Sequence, residues 1–280
     1  MPDGFVHGST DGVTVYRWGA LEDGQKVDRR GRNIKTRKLE TVSHIADVLA
    51  NRCVIVADAS IRHNAIAIGG GKVYLIDRPL ALFDRFRKPE HETGHPTGVL
   101  VSLDISTGEP QWKIDDDVYG TTLLLSETYN ALLMCYQPDR KPMALLSELG
   151  GRMTVFDTDT GERIWEKKAS YVTRPLINDQ TVYAQGGAWD LLSGEDRPFN
   201  FRRGYGCGIL AGGANLMVFR SETLGYFDLT KNERVEHFTG IRLGCWINAI
   251  PVGGLVIVQD ATDNCNCSYQ NKTWVALQRN

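Results

Sequence analysis

Hydrophobic residues occur along this chain in short runs that are separated by polar or glycine-rich turns. One phrase recurs: an apolar strand ends in Asp, a tight turn carries Thr-Gly-Glu, and a strand with Trp follows. Clear copies span residues 101–112 and 154–165, and degenerate copies span residues 188–195 and 225–233. Repeats spaced by tens of residues indicate an array of like units. Because each unit consists of strands and turns, the pattern predicts an all-β propeller of four-stranded antiparallel blades.

The spacing of the repeats predicts about five blades, within a single propeller domain that covers residues 1–280. The last unit begins near Cys245 and ends after three strands. A strand from the hairpin predicted within residues 4–18 could complete that blade, since propellers often close by pairing their termini. The alternative is that the chain is the C-terminal part of a larger propeller. We favour the second interpretation because the chain opens within a strand pattern.

Three polar stretches interrupt the β pattern, and we predict a loop or insertion at each: residues 19–44, 79–97 and 137–150. The second contains His91-Glu92-Thr93-Gly94-His95, which matches the H-E-x-x-H sequence of zinc proteases. That motif requires a helix so that both histidines face one metal ion. Gly94 lies within the motif, and Pro96 disfavours helix at the residue before it. We therefore predict a solvated loop here.

Composition excludes several classes of function. The 280 residues are 42% hydrophobic and carry a net charge of -2, which gives no reason to expect a nucleic acid partner. No apolar run approaches the roughly 20 residues of a membrane-spanning helix. The N-terminus has no basic-then-apolar signal pattern.

The turn phrase, with Leu103-Asp104, Thr107-Gly108-Glu109 and Trp112, resembles the repeat of PQQ-like β-propellers. That family includes quinoprotein dehydrogenases and the outer-membrane assembly lipoprotein that scaffolds barrel insertion. The C-terminal third is similar to large PQQ-like propellers of planctomycetes and related bacteria. The resemblance implies an extracytoplasmic protein, periplasmic or associated with the cell envelope, with a longer propeller than this chain. It implies no known reaction.

Quinoprotein dehydrogenases of this family usually carry adjacent cysteines against the cofactor, together with Ca²⁺ and a catalytic Asp. This chain has Cys265-Asn266-Cys267 instead of an adjacent pair, and its sequence shows no recognisable set of Ca²⁺ ligands. We therefore do not favour PQQ as a cofactor, although the identity of any cofactor stays open.

Four cysteines form a second candidate site, namely Cys207, Cys245, Cys265 and Cys267. Cys207 and Cys245 each follow a glycine at the predicted start of a blade. One or two disulfides are the favoured interpretation for an exported protein. A metal or redox site is the alternative because four thiolates can hold zinc, and buried free thiols are the third. The spacing lacks the paired knuckles of structural zinc sites.

The first strand of a propeller blade lines the central channel. Five residues at or near predicted first strands are therefore candidates for a small-molecule site: Arg174, Arg203, Tyr205, Trp246 and Asn248. The alternative is that these side chains fill the space around a narrow axis. By contrast, Trp112 and Trp165 are predicted to pack on outer strands.

These observations predict a non-catalytic binding or scaffold module that meets a protein or a small molecule on a face of loops. The competing hypothesis is an enzyme at the channel mouth, either a quinoprotein-like oxidoreductase or a metal or redox site on the C-terminal cysteines. The sequence leaves enzymatic activity open and favours a protein that is not an enzyme.

Overall fold

The computed structural model describes residues 61–78, 97–138, 148, 151–244, 249–259, 261 and 271–278, with positions 62 and 63 described only as part of a strand. Before residue 44 it describes only the strands. The described residues form strands, turns and connections, with no α-helix among them. Within this part of the chain, no helix is long and apolar enough to cross a membrane.

The N-terminal region forms a three-stranded antiparallel sheet and a separate two-stranded ribbon. The sheet has the order β1-β2-β5, and β3 pairs with β4. The strands are β1 (Gly4–Ser9), β2 (Gly12–Trp18), β3 (Lys26–Val27), β4 (Asn33–Ile34) and β5 (Leu39–Ser43). The hairpin predicted within residues 4–18 is thus present. The stretch 19–44 is not a loop throughout, because it contains β5, which pairs with β2.

Four sheets of four strands follow, and in each the strands pair in chain order and antiparallel. We refer to these sheets as blades 1 to 4. Blade 1 has β6 (Ile61–Gly69), β7 (Lys72–Asp77), β8 (Gly98–Asp104) and β9 (Pro110–Val118). Blade 2 has β10 (Thr122–Ser126), β11 (Ala131–Cys135), β12 (Met153–Asp157) and β13 (Arg163–Lys167). Blade 3 has β14 (Val172–Asn178), β15 (Thr181–Gln185), β16 (Gly187–Asp190) and β17 (Asp196–Arg197). Blade 4 has β18 (Ala211–Gly212), β19 (Leu216–Ser221), β20 (Thr223–Asp228) and β21 (Val235–Phe238).

A final sheet, blade 5, has three strands in the described residues, as the sequence predicted. They are β22 (Ile250–Val252), β23 (Leu255–Val258) and β24 (Val275–Gln278), paired in that order. From blade to blade the first strands contact one another, β6 with β10, β10 with β14, β14 with β18 and β18 with β22. First strands grouped at the centre of successive four-stranded meanders define a β-propeller. The predicted fold class is confirmed.

The apolar core lies between the blades. Strand β11 is buried along its whole length because its residues alternate between two neighbours. Leu132 and Met134 pack toward blade 1, whereas Leu133 and Cys135 pack toward blade 3. Burying a side chain of this size contributes about 2 kcal/mol. Each blade is therefore stabilised mainly by its neighbours.

An antiparallel meander has two ends. At one end, which we call the mouth face, the first strand begins and the second connects to the third. At the other end, the turn face, lie the repeated Asp turns. In the turn after β12, Asp157 Oδ1 accepts hydrogen bonds from the N–H groups of Asp159 (2.9 Å) and Thr160 (2.8 Å). The turn after β8 repeats this bonding around Asp104.

In blades 2 and 3, a tryptophan from the preceding blade also holds the repeated turn in place. Trp112 Nε1 on β9 donates to the Thr158 carbonyl of blade 2 at 3.0 Å. Trp165 Nε1 on β13 donates to the Leu191 carbonyl of blade 3 at 2.8 Å. The predicted packing role of both tryptophans is confirmed. Between blades 3 and 4 an asparagine pair takes this place: Asn200 Nδ2 donates to the Asn232 carbonyl at 2.8 Å.

Candidate functional site

Two first strands are interrupted where they begin at the mouth face. The pairing of β6 with β7 shifts between Ile61 and Ile66, and that of β14 with β15 shifts between Val172 and Leu176. Thr173 lies within the second irregularity with a φ of 72°. A β-branched residue rarely adopts a positive φ, so the backbone here is strained. Such irregularities redirect side chains and occur often beside functional sites.

The redirected side chains form a polar chain across three blades. Arg174 Nη1 on β14 donates to Asn64 Oδ1 on β6 at 3.3 Å. Asn64 Nδ2 in turn donates to Gln137 Oε1, just beyond β11, at 3.1 Å. All three residues are half-buried. One guanidinium and two neutral amides thus meet where the first strands of blades 1 and 3 approach blade 2.

Two buried threonine hydroxyls lie where the first strands of blades 2 and 3 begin, at the same mouth face. Thr122 is paired with Cys135 in the β10–β11 register and is only 1% exposed. The side-chain oxygens of Thr122 and Thr173 are both buried and have no hydrogen-bond partner within the described part of the chain. Burial raises the pKa of the Cys135 thiol, the positive charge of Arg174 lowers it, and the carboxylate of Glu148 raises it further. Cys135 is therefore a neutral thiol in the blade interface.

The connection from blade 3 to blade 4 forms a fixed loop at the same face. Arg203 Nε donates to the Arg220 carbonyl at 2.6 Å, and its Nη1 donates to the Gly208 carbonyl at 3.0 Å. A Cβ at Gly206 would lie 2.0 Å from the Arg220 carbonyl oxygen, so only glycine fits there. Tyr205, 59% exposed, projects from this loop.

A second arginine at the mouth face, Arg152, is fully engaged between blades 1 and 2. Its Nη1 donates to Asp117 Oδ1 at 3.0 Å and its Nε to Glu166 Oε1 at 2.9 Å. The guanidinium also lies 4.0 Å from the centre of the Tyr119 ring. Two carboxylates and the Tyr119 ring compensate the positive charge of Arg152. We therefore assign Arg152 a structural role, in contrast to Arg174.

The predicted channel residues have different surroundings. Arg174 reaches from blade 3 to Asn64 of blade 1, whereas Arg203 bonds within its own loop and thereby positions Tyr205. Arg174 lies on β14, whereas Arg203 and Tyr205 precede β18, and all three lie at the mouth face. Their role in a small-molecule site stays a prediction. Trp246 and Asn248 lie outside the described residues.

Four residues of this region were not predicted from the sequence, namely Asn64, Gln137, Thr122 and Thr173. Asn64 is a polar residue directly before the apolar run that begins at Ala65, and Gln137 directly follows a buried run. A polar residue at the end of an apolar strand was the available signal. It does not show which strand ends meet in space.

Of the four C-terminal cysteines, Cys207 is exposed and its thiol is free. Cys245, Cys265 and Cys267 lie outside the described residues, so their pairing stays a prediction. The insertion with His91 and His95 and most of the 137–150 insertion also lie outside them. Within the described part of the chain, no group of three His, Cys, Asp or Glu side chains could hold a metal ion.

The chain matches no protein-family model and no curated protein. Solved structures similar to it include BamB from Moraxella catarrhalis, at 16% identity and a TM-score of 0.42, over 93% of this chain and 80% of that one. A computationally designed protein, Ika4, aligns at 13% identity and a TM-score of 0.36, over 56% of this chain and 88% of its own. A europium-containing methanol dehydrogenase aligns at 12% identity and a TM-score of 0.36, over 82% of this chain and 44% of its own.

Proposed function

We propose that this chain is a non-catalytic binding or scaffold module that engages its partner, a protein or a small molecule, on the mouth face. The observation that carries the proposal is the contrast between the two ends of the blades. At the turn face, polar groups form hydrogen bonds within the turns or with the neighbouring blade. At the mouth face, Arg174 donates to a neutral amide, and the side-chain oxygens of Thr122 and Thr173 are buried without a hydrogen-bond partner among the described residues.

Loops held by a rigid frame are where binding residues usually lie. Tyr205 meets that description because a loop fixed by Arg203 presents it to solvent. Tyrosine supplies a large contact surface at low conformational cost and is common at protein interfaces. We further propose, from the sequence resemblance, that the chain forms a single propeller domain and works outside the cytoplasm.

The competing hypothesis of an oxidoreductase or metal site on Cys207, Cys245, Cys265 and Cys267 stays a prediction. Three of these cysteines lie outside the described residues. No observation on the described residues favours it over a binding role.

Site-specific photo-crosslinking in the producing cell tests the proposal. Tyr205→benzoylphenylalanine keeps an aromatic side chain at an exposed position of the mouth face. Lys231, an exposed residue of the turn after β20, is the matched control on the turn face. We expect a discrete crosslinked species from position 205 and none from position 231. Equal crosslinking from both positions, or none from either, would contradict a partner on the mouth face.

A further inference from the structure

We propose that the groove between the outer strands of blades 1 and 2 binds a lysine side chain of a partner protein. The groove is a cavity of about 360 Å³, and its lining consists of Ile114, Asp116, Phe156, Gly161 and Arg163. These residues lie on β9, β12 and β13 and in the turn between the last two strands. Because the site lies on the outer rim of the array, the inference is independent of a partner on the mouth face.

The junction between blades 2 and 3 has the same frame as the junction that contains this cavity. An added Cβ at Gly161 would lie 2.9 Å from the Trp112 ring. At Gly194 an added Cβ would lie 2.7 Å from the Trp165 ring. Each indole also donates a hydrogen bond to a carbonyl of the turn that it covers. The two junctions can therefore be compared position by position.

A side-chain donor caps the turn of the following blade at the later junctions. Lys167, two residues after its tryptophan, donates from Nζ to the Gly194 carbonyl and to Asp196 Oδ1, each at 2.8 Å. Between blades 3 and 4, Asn200 Nδ2 donates to the Asn232 carbonyl at 2.8 Å. In both cases the donor fills the space between the outer strands and satisfies a turn carbonyl.

Blade 1 has an isoleucine where this donor would lie. Ile114, two residues after Trp112, occupies the position of Lys167, and its side chain cannot donate. The Gly161 carbonyl is equivalent to that of Gly194. It accepts no hydrogen bond within the described part of the chain, although Gly161 is buried. Buried carbonyls normally have a partner, since leaving them without one costs free energy. The cavity thus presents an acceptor where the next junction holds an ammonium group.

Asp116 adds a carboxylate to the cavity. The pairing of β8 with β9 shifts between Gly98 and Leu100, and Asp116 lies on β9 within this irregularity. Such irregularities redirect side chains, and Asp116 lines the cavity. Its carboxylate takes part in none of the ion pairs among the described residues. It is therefore available to a ligand.

The cavity also contains a positive charge, at Arg163, which is balanced from within the chain. Arg163 Nη1 lies 3.0 Å from Glu166 Oε2. Glu166 is shared with Arg152, and Arg152 pairs in turn with Asp117. Two arginines and two acids thus offset one another. Asp116 is left as the net charge of the site, and complementarity favours a cation over an anion.

A lysine side chain meets both requirements. Its ammonium group has three N–H donors for the Gly161 carbonyl and the Asp116 carboxylate. Its aliphatic stem suits the apolar part of the lining, Ile114 and Phe156. The chain itself uses a lysine for the equivalent contact one blade further on. The source is a partner protein because β9 and β13 are outer strands that a second protein can reach.

Saturation-transfer NMR of the full chain with short peptides tests this. The probes are acetyl-Gly-Lys-Gly-amide and its analogues with norleucine or trimethyl-lysine at the central position. Norleucine removes the charge, whereas trimethyl-lysine keeps the charge and removes the N–H donors. We expect the lysine peptide to bind and both analogues to bind at least about tenfold more weakly. Tighter binding of the free diamine cadaverine than of the lysine peptide would overturn the assignment to a partner protein.

Variants assign the binding to this cavity. Asp116→Asn should weaken binding of the lysine peptide about threefold or more, the size of an exposed charge pair. Asp115→Asn changes the neighbouring carboxylate of β9, which does not line the cavity, and should leave binding unchanged. Arg163→Asp introduces an acid where blade 3 has Asp196 and should tighten binding. Ile114→Lys supplies an ammonium group from within the chain, so it should raise the thermal midpoint and abolish peptide binding.

Equal binding of the lysine and norleucine peptides would overturn the proposal, as would binding that survives both Ile114→Lys and Asp116→Asn. Absence of binding of every peptide to the unaltered chain would also overturn it. If Ile114→Lys does not fold, the comparison of Asp116→Asn with Asp115→Asn still decides, because both positions are exposed. Equal weakening by these two variants would show that the cavity is not the site.

Discussion

At the scale of single residues, the aspartate of each repeated turn is the best defined feature. Asp104 Oδ1 accepts hydrogen bonds from the side chain of Ser106 and from the N–H groups of Thr107 and Ser106. Together these bonds lower the pKa of Asp104 to about 2. The carboxyl pKa is also lowered in the matching turns of blades 2, 3 and 4, at Asp157, Asp190 and Asp228. The turns therefore depend on ionised carboxylates.

This dependence predicts how stability changes with pH. Because the pKa of Asp104 is lower in the folded chain than in the unfolded chain, the unfolded chain binds more protons between those two values. The contribution to stability is thus complete above about pH 4 and is lost as pH falls toward 2. Asp104→Asn should lower the urea midpoint at pH 7 and make little difference at pH 2. An equal loss at both pH values would contradict the prediction.

A second prediction concerns the stability cost of replacing the glycine of the repeated turn. Gly108 and Gly161 have the same φ of 76°, but a Cβ would meet nothing within 4 Å at Gly108 and would lie 2.9 Å from the Trp112 ring at Gly161. Gly108→Ala should cost about 1 kcal/mol through backbone strain alone. Gly161→Ala should cost about 1–3 kcal/mol more because the ring must move. Urea unfolding of both variants measures the difference, and equal losses would show that Trp112 yields freely.

At the scale of elements, much of the fold could be predicted from the sequence because each blade repeats a local pattern. The phrase ending in Trp112 and its copy ending in Trp165 marked the third and fourth strands of blades 1 and 2. The three-stranded blade 5 was also predicted. Strand β5 was missed because it follows a charged stretch, which is typical of a loop. Polarity alone did not reveal its pairing with β2.

The candidate site could be predicted only in part, for a physical reason. Arg174 was identified because it lies on a first strand, and first strands meet at the centre. Its hydrogen-bond partner Asn64 lies more than a hundred residues away in blade 1, and Gln137, which accepts from Asn64, lies in blade 2. Asn64 and Arg174 lie within the strand irregularities of two different blades, and their hydrogen bond joins those blades. No local pattern encodes such contacts.

At the scale of the whole molecule, blade 5 marks the end of the described array. In its register Val252 lies opposite Leu255, and Pro251 lies opposite Val256. Val256 packs into the core shared with blade 4, whereas Val252 on the other side is 56% exposed. The outward side of blade 5 thus meets no further blade among the described residues.

This difference predicts unequal tolerance of charge on the two sides of one sheet. Val252→Lys should change the free energy of unfolding by less than about 0.5 kcal/mol, as exposed substitutions usually do. Val256→Lys should cost several-fold more, because it brings an ammonium group into an apolar interface. Denaturant unfolding of the pair provides the measurement. Strong destabilisation by Val252→Lys would mean that another surface covers this side in solution.

The tryptophan contacts described above join blade 1 to blade 2 at Trp112 and blade 2 to blade 3 at Trp165. This arrangement has a mechanical consequence. A molecule stretched between its two ends in an optical trap would extend in separate steps, one blade at a time. Blade 2, which spans Thr122 to Lys167, would give a longer step than blade 3, which spans Val172 to Arg197. Between blades 3 and 4, the Asn200–Asn232 hydrogen bond takes the place of a tryptophan bonded to a turn. This junction would open at a lower force than the two tryptophan junctions.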